Sequence, residues 1–476
     1  MTFTRYLSIM AIFSVIAGCG SGENKDSSET TGADSTANAK ITKQEAASVR
    51  LVTLDPGHFH AALVQKVMYP GIDTRVYVYA PEGPDVQAHL ALINQYKQRP
   101  EKPATWDEVV YTGTDFFNKM LSEKKGNVVV LSGNNRQKTE YIQQSVDAGL
   151  NVLADKPMAI NDGDFSLLTK SFDDAAMKKV LLYDIMTERS EITNILQKEF
   201  AALPEVFGEL TKGSPADPAI LMESVHYYYK FVSGNALTRP VWFFDPLQQG
   251  EAIPDVGTHL IDLVQWEYFP ELMLDYKSDI DLGKSKIWYT PLTFSQFAAV
   301  TKKDSFPEFL KKYVVKDSIL QAHANGEINY TIKGVHARVI ARWDYQAKEG
   351  GDTHYSLAKG SKAHIIIRQG REEKFQPTLY INPVKSGDTS FGTSLTAAVQ
   401  KLTATYPGIG VEKYKNGYKV NIPESYKIGH EAHFGQVMER YLAYLKQGSL
   451  PAWEVPNMLA KYYITTQSVK TAKVGK

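Results

Sequence analysis

Lys156 follows the apolar run Val152-Leu153-Ala154 and precedes Pro157. Proline fixes its own φ and biases the residue before it away from helical geometry. The pattern therefore predicts a strand ending at Lys156, with a long cation aimed at the carboxyl edge of a sheet, where open α/β sheets bind ligands. Further along, Asp255 and His259 stand four residues apart at the head of an apolar run, with Asp262 beyond them. A helix there places the carboxylate and the imidazole on one face. Nearness to a helix N-terminus favours the carboxylate and lowers the imidazole pKa, leaving a neutral ring able to accept a proton. Lysine, carboxylate and neutral imidazole together form a proton-handling set suited to interconverting an alcohol and a ketone. The competing readings are a solvated surface lysine, a helix cap by Asp255 over a buried His259, and a metal pair for which spacing places no third ligand.

The elements that must position these residues follow from hydrophobic periodicity. Short β-branched runs at Leu51–Asp55, Arg75–Tyr79, Val109–Thr112, Asn127–Ser132, Val152–Ala154 and Val180–Tyr183 read as strands. Between them, His60–Met68, Asp115–Lys124, Lys138–Ala148 and Gly163–Phe172 carry helical spacing, and Gly149 closes one helix as a C-cap. Alternating strands and helices imply a Rossmann-like, doubly wound parallel sheet over residues 49–185. From 186 to 476 the texture changes to aromatic and β-branched runs: Ile220–Phe231, Lys286–Tyr289, Ile328–Ile332, Ala337–Trp343 and Ala363–Arg368. These predict an α/β domain with a large, mainly antiparallel open sheet. An insertion between Ser295 and Asn325 is expected to form helices, and His430–Gly448 has the spacing of an amphipathic helix. Alternation along Tyr227-Tyr228-Tyr229 sets Tyr228 apart from its neighbours, as a candidate sugar-stacking face or an ordinary core ring.

The 476 residues carry 53 basic and 53 acidic side chains, so no net field collects polyanions and nucleic acid is not an expected partner. A neutral small molecule fits better. Residues 1–19 hold Arg5, a short apolar run and Ile16-Ala17-Gly18-Cys19, which reads as a lipoprotein signal whose Cys19 becomes the lipidated N-terminus. Residues 20–48 are polar and nearly free of large apolar side chains, as a flexible tether is. The expectation is an exported bacterial lipoprotein facing the periplasm or the outer surface, anchored to a membrane through Cys19 by lipid alone.

Two blocks carry a family resemblance. Gly149-Leu150-Asn151-Val152-Leu153-Ala154-Asp155-Lys156-Pro157 resembles the strand ending in Glu-Lys-Pro of the Gfo/Idh/MocA oxidoreductases, with Asp155 in place of Glu. Asp255-Val256-Gly257-Thr258-His259-Leu260-Ile261-Asp262 is similar to that family's Asp-x-Gly-x-His-x-x-Asp helix. Asn135, twenty-one residues before Lys156, matches a cofactor-contacting asparagine, and Lys138 stands where the family often has histidine. The resemblance implies an enzyme using NAD, with NADP as the alternative, on a sugar or glycoside hydroxyl, and a homo-oligomer. It implies that Lys156 holds substrate and nicotinamide together, that His259 exchanges the hydroxyl proton and that Asp255 orients the substrate.

The departures fall at the cofactor. The family's first turn is G-x-G-x-x-G, whose glycines let backbone approach a pyrophosphate; here the run is Asp55-Pro56-Gly57-His58-Phe59-His60-Ala61. Gly57 survives, and His58 or Phe59 is expected against the cofactor. His58-x-His60 as a metal site, with Asp55, is a second reading of the same run, and a structural imidazole a third. Glu82 stands two or three residues beyond the place of a ribose-binding acid, and Asp155 and Lys156 complete the expected cofactor contacts. Export as an unfolded chain favours a tightly retained cofactor. That leaves net ketosugar formation, NAD-dependent glycoside cleavage by oxidation and elimination, and a cofactor-poor sugar-binding or scaffold component as the alternatives.

Overall fold

Parallel pairing dominates the first half of the chain. In the computed structural model, which describes residues 49–475 apart from 233–234, 386 and 388, a six-stranded sheet is built from β1 (Leu51–Leu54), β2 (Arg75–Ala80), β3 (Asp107–Thr112), β4 (Val128–Leu131), β5 (Asn151–Asp155) and β6 (Leu182–Ile185). The expected signal segment, Cys19 and the tether lie outside the described residues. The strand order is β3-β2-β1-β4-β5-β6, with every pair parallel. β1, β4 and β6 are buried at every position, the pattern of strands covered on both faces. The covering helices are α1 (His60–Val64), α2 (Pro84–Gln98), α3 (Phe116–Glu123), α4 (Lys138–Asp147) and α5 (Asp162–Lys178). α1 stops four residues earlier than its apolar spacing predicts. α4 ends where Gly149 takes φ +80°, the left-handed C-cap its sequence predicts. Strand order reverses between β1 and β4, which opens a crevice at their carboxyl ends.

The second sheet is twelve-stranded and mainly antiparallel. Its centre comprises β7 (Ile220–Tyr227), β8 (Ile319–Ile332), β9 (Val335–Asp344) and β10 (Thr353–Lys359). β7 lies parallel to β9 and antiparallel to β10, so His226 pairs with Trp343 and Ser224 with His354. Helices α6 (Ile192–Ala201), α7 (Thr258–Tyr268), α8 (Phe294–Thr301), α9 (Thr389–Leu402), α10 (His430–Gln447) and α11 (Glu454–Thr471) accompany it. The expectation of helices across Ser295–Asn325 holds only for α8 and a 3₁₀ turn at Glu308–Tyr313; from Ile319 the chain is strand. The alternating burial of β8 shows why: its apolar residues repeat every second position, not every third or fourth.

The far end of the chain crosses back over the partition at residue 185. Phe434, Val437, Met438 and Tyr441 of α10, with Met458 and Tyr462 of α11, pack into the same buried cluster as β1, β4 and β5. The last two helices thus return to the first sheet, and the described residues form one compact unit. A buried ionic network completes the tie. Arg189 grips Asp262 through Nε and Nη2 at 2.7 Å each and reaches Glu454 at 3.0 Å. Lys461 Nζ lies 2.7 Å from both Asp262 and Asp184. Asp262 is therefore a structural anchor that fixes α7 against α11 and β6.

Candidate functional site

The sheet edge and α7 converge on one cavity of about 530 Å³. Lys156, one residue past β5 and joined to Pro157 by a cis peptide, donates to Asp255 Oδ1 at 2.6 Å. Asp255 lies in a π-helical turn, Ile253–Gly257, that leads into α7. Such turns shift the register of the side chains that follow, and they recur at functional sites. Asp255 and His259 are thus brought to one cavity across a π-to-α junction instead of along the regular helix that spacing predicts. Burial alone would raise the Asp255 carboxyl, but Lys156 beside it holds the group below its usual range. Burial, reinforced by Lys156, lowers His259 to about 3, so its ring is neutral. The expected direction is correct, yet its main cause is desolvation and not a helix terminus. His259 Nδ1 is buried without a hydrogen-bond partner.

Many of the other lining side chains are polar. Seven of the eleven histidines line this cavity, among them His226, His354, His430 and His433. His226 Nδ1 lies 3.1 Å from Asp352, which also accepts from Lys230 at 2.8 Å. His354 bonds Ser224 at 2.8 Å and is lowered to about 4 by burial. Arg239 donates to the backbone oxygens of Tyr227 and Tyr228 and stacks over Phe243 and Trp343. The polar residues among these were not singled out in the sequence. The period-two alternation of β7 puts Ser224 and His226 on one face, but the pairing that adds Trp343 and His354 is long-range. His430 and His433 arrive from a helix whose apolar stripe gives no hint of this destination.

Tyr228 is corrected from substrate contact to core. It is 2% exposed and packs against Phe244 and Trp343 at ring-centroid distances of 5.1 and 5.2 Å. The aromatic faces that do reach the cavity are Phe59, Phe243, Trp343 and Phe375. Lys138 is fully buried and donates to the Asp155 carbonyl at 3.0 Å, its ammonium lowered to about 8 by burial. Asn135 turns its amide to the Gln249 carbonyl at 2.8 Å and leaves its Oδ1 buried without a partner. Glu82 lies exposed just beyond β2 and lines neither described cavity.

The crevice fits a dinucleotide at its two ends. The 530 Å³ cavity offers Lys156 at the sheet edge, and a second cavity of about 410 Å³, lined by Asp55, Asn134, Arg136, Gln137 and Gln248, lies on the other side of the β1 loop. Asn135 Oδ1, buried without a partner, stands in the chain between Asn134 and Arg136 of the second cavity. The middle is unlike a phosphate cradle. A Cβ on Gly57 would meet Asp85 Oδ2 at 3.1 Å and the Trp242 ring at 3.3 Å, and Trp242 Nε1 donates to that carboxylate at 2.9 Å. Asp55 is raised to about 6 by burial and by Asp85. Gly133 lets the β4 loop press on the β1 loop, since a Cβ there would stand 2.3 Å from the Asp55 carbonyl. His58 and His60 gather at Asp155: His60 Nδ1 lies 2.9 Å from Asp155 Oδ2 and His58 Nδ1 3.6 Å. Asp155 thus faces the imidazoles, and Asp55, the expected partner of the His58-x-His60 pair, does not belong to the cluster.

Comparisons with known proteins agree with this architecture. Residues 196–473 match the family described as "Putative oxidoreductase C terminal domain". A crystal structure of a putative oxidoreductase from Parabacteroides merdae shares 54% identity over 90% of this chain and 98% of its own, with a TM-score of 0.88. More distant in sequence, a putative oxidoreductase from Erwinia carotovora is 12% identical over 90% of this chain and 100% of its own, with a TM-score of 0.56. KijD10, a 3-ketoreductase from Actinomadura kijaniata solved with NADP and TDP-benzene, is 12% identical over 90% of this chain and 98% of its own, with a TM-score of 0.54. No curated protein matches the chain.

Proposed function

The chain belongs to the Gfo/Idh/MocA-type, NAD(P)-dependent oxidoreductases, and from that membership we propose that it interconverts a carbohydrate hydroxyl and the corresponding ketone inside the larger cavity. One observation carries the reading: a lysine, its carboxylate partner and a neutral imidazole with a free ring nitrogen face the same enclosed space. The bound NAD(P) supplies the hydride acceptor or donor. Lys156, Asn135 and the residues of the second cavity would hold it.

His259 acts as the base. With its ring neutral, the basic form is present at any working pH, and a hydroxyl whose carbon is losing hydride is acidic enough for a weak base to take its proton. Lys156 stabilises the charge that develops on that oxygen, and Asp255 keeps the ammonium in place. Phe243 and Trp343 give the sugar ring apolar faces, while the His226–Asp352–Lys230 chain offers donors and acceptors to its other hydroxyls. The 3-ketoreductase activity of KijD10 supports a ring ketone as the oxidised form. The chain is further proposed to be exported and held to a membrane through Cys19; among the described residues no helix is long and apolar enough to cross one.

The test is a panel of glycosides and ketosugars assayed with NAD⁺, NADP⁺ and their reduced forms by nicotinamide absorbance. Lys156→Ala and His259→Gln are each expected to lower kcat by about 10²- to 10⁴-fold. Turnover within about twofold of the unsubstituted protein in both variants, at that scale of expected loss, would remove the assignment.

A further inference from the structure

Asp155, His58 and His60 form a cluster that the proposed proton chemistry does not use. Their ligand atoms all lie within 4.8 Å of one another. The two imidazoles come from the loop after β1 and the first residue of α1, and the carboxylate from the end of β5, so the trio closes because the parallel sheet brings the ends of β1 and β5, with β4 between them, to one edge. Ser132, just past β4, donates to Asp155 Oδ2 at 2.8 Å and fixes the carboxylate from a third direction.

A structural hydrogen bond explains part of this. The His60–Asp155 contact at 2.9 Å is complete in itself. It does not account for His58, whose Nδ1 is turned to the same oxygen at 3.6 Å, too far for a hydrogen bond, and is buried without any other partner. Donors around a transition-metal ion sit about 2.0–2.2 Å from it, which keeps adjacent donors roughly 3–3.5 Å apart. The two separations from Asp155 Oδ2, 2.9 Å to His60 and 3.6 Å to His58, are close to that size, and the whole trio lies within 4.8 Å. His58 and His60 also line the substrate cavity, so an ion on this trio would keep open positions facing the ligand.

We propose that His58, His60 and Asp155 bind one divalent transition-metal ion, whose open positions take an oxygen of the carbohydrate in the cavity. Two imidazoles and one carboxylate with vacant positions suit zinc, iron(II) or manganese, as opposed to calcium or magnesium, which favour oxygen ligands throughout. Asp255, not Asp155, pairs with Lys156, so the ion and the ammonium use different carboxylates. The loss of the phosphate-binding glycines and the change of Glu to Asp before Lys156 then have a common reason: both supply ligands.

The experiment needs neither substrate nor dinucleotide, so its failure is separable from that of the proposed function. The full chain is stripped with a chelator, desalted, titrated with Co²⁺ and with Zn²⁺, and read by bound-metal analysis and by the visible absorption of Co²⁺. One equivalent per chain is expected, with affinity lowered about tenfold or more in His58→Ala and in His60→Gln and unchanged in His364→Ala, which is remote from the cluster. Circular dichroism verifies folding, and if one ligand variant fails to fold the other decides. Absence of stoichiometric metal at saturating concentration, or undiminished binding in the folded ligand variants, would overturn the proposal.

Discussion

Replacing Asp55 by Asn is expected to stabilise the protein above pH 6 and to do nothing for it in acid. Asp55 is raised from 3.8 to about 6 by burial and by the neighbouring Asp85 carboxylate. The native state therefore holds this proton more tightly than the unfolded chain does. As pH rises from about 4 to about 6 the unfolded chain ionises first, stability falls across that window, and the full penalty applies above it. Two pKa units and a fraction, at about 1.4 kcal/mol each, amount to about 3 kcal/mol. Asn suits the site because residue 55 has φ +47°, a left-handed conformation that Asn adopts more readily than most residues. Its amide oxygen can still accept from Tyr141, which lies 3.4 Å from the carboxylate. Unfolding in urea at pH 7.5 and at pH 3.5 measures the effect: the midpoint moves up at the first pH and stays in place at the second. Because the charge borders the second cavity, dinucleotide binding at pH 7.5, read by isothermal titration, is expected to tighten in the same variant. An equal gain at both pH values, or a loss at pH 7.5, would refute the electrostatic account.

Two further outcomes complete the set with the catalytic and metal-binding tests. Lys461→Met removes the ammonium shared by Asp184 and Asp262 and leaves two carboxylates in the interior; a loss of about 3–5 kcal/mol is expected in denaturant unfolding, and a loss below about 1 kcal/mol would show that the network relaxes. Cys19→Ser is expected to abolish incorporation of labelled fatty acid and to release the protein from membranes in a bacterial host that processes lipoproteins; retained label would contradict the lipid anchor.

The first sheet was legible because its strands are short, apolar and regularly spaced, and because local signals such as Gly149 and Lys156-Pro157 punctuate them. The pairing of Lys156 with Asp255 was legible for a different reason, the likeness of two separated blocks to one family. Three features escaped. Tyr228 has the alternation of a two-sided strand, but alternation says which side a ring takes and not which side faces ligand. The first half of β8, Ile319–Asn325, was hidden because it directly follows a stretch rich in charges, although Ile328–Ile332 was legible as strand. His226, His354, His430 and His433 depend on pairings between distant segments, which no local window contains. The metal-like trio was half visible as His58-x-His60, but its carboxylate is Asp155 and not Asp55, because a parallel sheet gathers at one edge the ends of strands far apart in the chain, here β1 and β5 on either side of β4.

The ionic knot of Arg189, Asp262, Glu454, Lys461 and Asp184 has a consequence for biosynthesis. α7, which bears His259, is locked through Asp262 by Lys461 and by way of Arg189 by Glu454, two residues translated after every candidate reactive group. A polypeptide interrupted before them would carry every candidate reactive group through His433 yet could not hold them in register. Competence for chemistry therefore waits for α11, so a chain made only as far as α10 stays inert.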